Sequence, residues 1–170
     1  MKKILSILGT ITLVVTSTTN LVACNTPQEY TKEELKELKE KNKINTTNQE
    51  IRNNLEWMAA QEKPFNTVDN KYYFVVWRND NGGDWKINKF KNNVKLNIGE
   101  THNINDSLYL FNGNFASDLK IDLQVILKNG VPLGWFFDRD NSFLKLVYRW
   151  NLITQGPNLK VDKDGMIKVS

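Results

Sequence analysis

The stretch Asp118-Leu119-Lys120-Ile121-Asp122-Leu123-Gln124-Val125-Ile126-Leu127-Lys128 decides the fold. Leu119, Ile121, Leu123, Val125 and Leu127 recur every second residue, while Lys120, Asp122, Gln124 and Lys128 mostly fill the positions between. A period of two is the pitch of a β-strand, so the pattern predicts a half-buried strand with polar residues facing water. Working outward, Tyr72 to Trp77 is apolar at every position, as in a central strand covered on both faces. Asn79-Asp80-Asn81-Gly82-Gly83-Asp84 then reads as a turn. Further alternation marks strands at Trp85–Phe90, Asn93–Ile98 and Ser107–Asn112. Residues 134–151 read as two strands around Asp138-Arg139-Asp140-Asn141, with Leu144, Leu146, Tyr148 and Trp150 on one face of the second. Lys163-Asp164-Gly165 sits at the turn of a last hairpin.

Short strands at this spacing, with no helices between them, predict a mainly β fold over residues 66–170, an antiparallel sandwich or barrel-like domain. One or two α-helices precede it, in a spacer over residues 31–63. Thr31 with Glu34 forms a capping box at the start of the first. Thr47 with Glu50 forms the same pattern at the start of the second. Ile51, Leu55, Met58 and Ala59 give that second helix an apolar stripe flanked by Trp57, and Pro64 stops it.

The N-terminus carries a different signal. Lys2 and Lys3 are followed by twelve residues, Ile4 to Val15, that are mostly apolar, and then by Thr16-Ser17-Thr18-Thr19-Asn20. That run is too short for a spanning helix, which needs ~20 apolar residues, and suits the apolar core of a signal peptide over residues 1–23. Leu21-Val22-Ala23-Cys24 closes it and looks like a lipobox. Cleavage between Ala23 and Cys24 would leave the only cysteine of the chain as a lipidated N-terminus, with residues 24–30 as a polar tether. The opening as a whole resembles the signal sequences of spiralin-like surface lipoproteins of mollicutes. The resemblance covers about the first 25 residues. It implies an outward-facing lipoprotein held by a diacylglycerol on Cys24 in the single cell membrane of a wall-less bacterium. Two or more acyl chains anchor stably where one is marginal. With that cysteine acylated, the exported domain has no disulfide and is held by its core.

Charge argues against a polyanionic partner. The formal net charge of the 170-residue chain is +4. Residues 1–23 hold Lys2 and Lys3 and no carboxylate, so the remainder has 21 basic against 19 acidic residues, a net +2. No nucleic-acid partner is expected from so small and scattered an excess.

Catalytic motifs are not evident. His102, with Glu100 and Asp106 nearby, lies in a loop-like stretch without a companion nucleophile. Asp138 and Asp140 are the candidate acid and base of a small surface hydrolase, but they flank a turn. Asn79–Asp84 and Asp162-Lys163-Asp164-Gly165 faintly resemble calcium loops and are read more simply as turns. No cofactor, metal site or enzymatic activity is expected. The aromatic residues are the stronger functional candidates, because rings flanked by Asn, Asp and Arg stack sugars or anchor protein contacts. Trp135 is the first choice for an exposed ring, with Trp85, Trp77 and Arg139 beside it. The leading expectation is a binding or adhesion module for a host-surface protein, a glycan or an envelope component. A structural coat protein without a specific ligand comes next, and a hydrolase last.

Overall fold

The computed structural model describes residues 29–115 and 118–170. The signal peptide and Cys24 lie outside the described residues. Among those described, ten strands form two four-stranded antiparallel sheets and one two-stranded hairpin.

Strand β2 (Tyr72–Trp77) lies inside the first sheet, whose order is β1 (Leu55–Trp57), β8 (Leu144–Trp150), β2 and β3 (Lys86–Lys91). It pairs with β3 on one side and β8 on the other. Its apolar sequence fits that position, since residues from Tyr73 to Trp77 are all buried. The odd positions Tyr73, Val75 and Trp77 face the second sheet. The even positions Phe74 and Val76 face the opposite layer. Strand β8 follows the same division, with one interruption. Val76 pairs with Leu146 and Trp77 with Leu144, so the register skips Lys145. This bulge puts Leu144 in the inter-sheet core and leaves Leu146, Tyr148 and Trp150 on the outer face. A strict two-residue alternation had placed all four together.

The second sheet has the order β4-β5-β6-β7, from Thr101–Asn103, Leu108–Asn112, Ile121–Ile126 and Pro132–Gly134. Leu108, Leu110, Leu123 and Val125 meet Tyr73, Val75, Trp77 and Phe90 of the first sheet, making a β-sandwich. Each large apolar side chain removed from water contributes about 1.5–3 kcal/mol. Two sequence expectations fail here. Strand β6 is buried on both faces, since Asp122 and Gln124 are 2% and 9% exposed. The alternating segment 93–98 pairs with no strand. Its place beside β5 is taken by β4, which carries His102 opposite Leu110. Leu96 still enters the core, while Ile98 is 81% exposed.

The segment expected as a spacer packs on the domain, as the apolar stripe of its second helix predicts. Helix α1 (Lys32–Lys41) starts at the Thr31–Glu34 capping box, as its sequence requires. Tyr30 exchanges two hydrogen bonds with the Gln61 side chain. Lys39 binds Glu56 and Glu62, both at 2.6 Å. Helix α2 covers only Gln49–Asn54 and is capped by Asn48 rather than Thr47. The chain then turns extended, and Leu55–Trp57 becomes β1, pairing with Trp150 to Tyr148 at the edge of the first sheet. Sheet pairing thus overrides the helical spacing of Leu55, Met58 and Ala59. Ile44, Ile51 and Leu55 cover one part of the outer face of that sheet. The hairpin β9 (Leu159–Val161) and β10 (Ile167–Val169) covers another. Its turn is the expected one. The Asp162 carboxylate accepts from the amides of Asp164 and Met166, and Gly165 takes a positive φ of 75°.

Candidate functional site

A groove of about 500 Å³ opens where α1, β1 and the turn before β8 converge. Trp57 of β1 and Leu38 of α1 form part of its apolar lining, with Trp135 and Phe136 beneath the turn. Asp138–Ser142 supply the polar wall. The turn exists because Trp135-Phe136-Phe137, expected as a strand, forms one 3-10 turn, with the Asp138 amide bonded to the Trp135 carbonyl at 3.3 Å. Gly134 permits this geometry. A Cβ there would stand 2.2 Å from Asp122 Oδ2 and 3.2 Å from the Phe137 ring.

Asp138 holds the turn together. Its carboxylate accepts from the amides of Ser142 (3.2 Å), Phe143 (2.9 Å) and Leu144 (2.6 Å). The side chain is buried, and burial raises its pKa against the opposing pull of these bonds. Asp140 is exposed, and its bond from Ser142 lowers its pKa. Two neighbouring carboxylates shifted in opposite directions fit an acid and base pair on electrostatics alone. Geometry assigns Asp138 to the backbone instead, since both of its oxygens accept amide protons. Asp138→Ala is expected to lower stability by about 2 kcal/mol, because it leaves three amide donors without their acceptor. Asp138→Asn, which keeps one acceptor oxygen, should recover part of that loss in urea denaturation. A loss below measurement in the alanine variant would show that the turn does not depend on Asp138.

The aromatic candidates separate. Trp135 is 7% exposed and belongs to the inter-sheet core, 6.1 Å between ring centroids from Phe65. Its expected exposure is therefore corrected, because the 3-10 turn points the ring inward. Trp77 is 3% exposed and donates from Nε1 to Asn88 at 2.7 Å. It too is core. Trp85 is half-buried and meets two cations, with the Arg78 guanidinium 4.4 Å and the Lys145 ammonium 4.9 Å from its ring centroid. Arg139 is exposed and lines the groove. Arg78 connects the two places, donating from Nε to the Ser142 carbonyl at 2.6 Å while its plane covers Trp85.

Sequence reasoning missed Trp57 and Lys41 as groove residues. Trp57 was noticed only as the flank of a helical stripe, and no local signal shows that its segment becomes an edge strand. Among the described residues, no cluster of three or more His, Cys, Asp or Glu side chains is placed to hold a metal ion. No described helix is long and apolar enough to cross a membrane. No protein-family model, curated protein or solved structure matches this chain.

Proposed function

We propose that the chain is a membrane-anchored surface lipoprotein whose β-sandwich is a binding module for a host or envelope component. The anchoring rests on Lys2-Lys3, the apolar run Ile4–Val15 and the lipobox Leu21-Val22-Ala23-Cys24, with lipid attached to Cys24 and the domain on the outer face of the cell membrane. The binding role is carried by one observation. The groove brings the half-buried Trp57, the exposed Arg139 and the amide and hydroxyl groups of Asn141 and Ser142 to one solvent-facing concavity. Ligand sites combine an apolar floor with a few convergent polar groups in this way. The hydrolase alternative draws less support, because Asp138 is engaged by the turn.

The test is binding of the full-length lipidated chain, in detergent micelles, to intact host cells and to a glycan array. Wild type is expected to bind saturably, and Trp57→Ala to lose at least five-sixths of that binding, a change of about 1 kcal/mol, while remaining folded. A folded wild-type protein that binds neither cells nor glycans would favour the coat-protein reading.

A further inference from the structure

The charges around the groove point to its ligand class. Four cationic side chains line it, Lys41, Arg78, Arg139 and Lys145, against two carboxylates, Asp138 and Asp140. Asp138 is turned into the backbone by three amide bonds, so only Asp140 presents a carboxylate to solvent. Among the described residues, Arg78 and Lys145 are paired with no carboxylate. Arg78 is held by the Ser142 carbonyl, Asn81 and the Trp85 ring. Lys145 is held by the Asp164 carbonyl and the same Trp85 ring. Carbonyls and a ring position these cations without neutralising them. This contrasts with Lys39 and Arg149 on the neighbouring surface, which are paired with carboxylates, Lys39 with Glu56 and Glu62 and Arg149 with Glu56.

We propose that the groove binds an acidic saccharide, its carboxylate against the Arg78–Lys145 side and a sugar face against Trp57. The assignment deepens the binding role proposed above and rests on it. A saccharide fits better than an acidic peptide because the same wall offers hydrogen-bond acceptors for hydroxyl groups at Asp140, Asn141 and Ser142. Guanidinium groups bind carboxylates through paired charge-assisted hydrogen bonds, which supply orientation as well as affinity.

The experiment is a calorimetric titration of the full-length chain in detergent micelles with sialyllactose, with lactose as the neutral control and a glutamate oligopeptide as the acidic non-sugar. Sialyllactose is expected to bind about tenfold more tightly than lactose, the worth of one charge-assisted contact. Its affinity should fall as salt is raised. Lys145→Gln should remove most of the preference. Lys41→Gln, at an exposed helix position where folding is not at stake, should weaken sialyllactose binding measurably, and by more than it weakens lactose binding. Equal affinity for sialyllactose and lactose overturns the acidic assignment while the binding role stands. Binding of the glutamate oligopeptide with neither sugar overturns the saccharide in favour of an acidic peptide. Absence of all three, from a protein that still binds cells through Trp57, overturns this ligand class only. Absence of cell binding as well removes the binding role itself.

Discussion

Replacing Trp135 by alanine is expected to cost about 3–5 kcal/mol of folding stability, the range for removing a large aromatic side chain from a packed core. The ring lies between the sheets in one cluster with Phe65, Tyr73 and Phe90. Phe65 and Tyr73 stand 4.9 Å apart between centroids, and Tyr73 and Phe90 stand 5.8 Å apart, so the void has rigid walls that collapse poorly. Against a typical total of about 5–15 kcal/mol, such a loss brings the domain close to unfolding. Urea denaturation of wild type and variant measures it directly. A loss under ~1 kcal/mol would mean that the indole sits at the surface after all. The expectation bears on how binding data are read. Loss of ligand by Trp135→Ala would report a disturbed core, whereas Trp57→Ala removes a half-buried ring that lines the groove itself.

Asp122→Asn is expected to act in the opposite direction, stabilising the protein at neutral and alkaline pH. Asp122 is 2% exposed on β6, opposite Phe111 and beside Gly134 and Phe136. Its two oxygens receive the Phe136 amide at a long 3.4 Å each. Burial pushes its pKa from 3.8 to about 7, outweighing the backbone bonds that oppose it. The sign follows from linkage. The folded state retains a proton that the unfolded chain releases above pH 4, so stability is fully present below about pH 4. It falls as pH rises, and levels off once pH passes about 7. The whole shift corresponds to about 4 kcal/mol. Asparagine keeps the shape and removes the charge. At pH 8 the variant should be more stable than wild type by roughly 2–4 kcal/mol relative to the same comparison at pH 4. Comparing the two pH values separates charge from any packing change that the amide brings. An identical difference at pH 4 and pH 8 would show that Asp122 does not titrate in this range.

These residues show why the fold could be read from the sequence further than the site could. Alternating apolar positions specify a strand wherever they occur, because the extended backbone sends successive side chains to opposite faces. The ambiguity lies in what covers each face. Asp122 and Gln124 read as solvent-facing, yet both are buried. Their burial comes from the 3-10 turn at Trp135–Phe137 and from the Tyr109 hydroxyl donating to Gln124 at 2.8 Å. These partners lie fourteen and fifteen residues away, on different elements. The site suffers more from the same cause. Trp57, Arg78 and Asp140 are separated by dozens of residues and meet only after β1 has joined β8 and Arg78 has caught the Ser142 carbonyl.

By itself the sequence determined the β class, the Thr31 cap, the buried strand at Tyr72–Trp77 and the turn at Asp162–Gly165. Each is set by interactions within a few residues or by a periodicity that survives any arrangement of neighbours. It also carries the lipobox reading at Cys24, since that signal is a linear one. Tertiary structure decided that residues 55–57 are strand rather than helix, that the bulge at Lys145 divides the apolar residues of β8, and that Trp135 and Trp77 are core. It also brought Trp57 and Arg139 to the groove. Those outcomes depend on free energies of burial and pairing between distant segments, which exceed local propensities of a few tenths of a kcal/mol per residue.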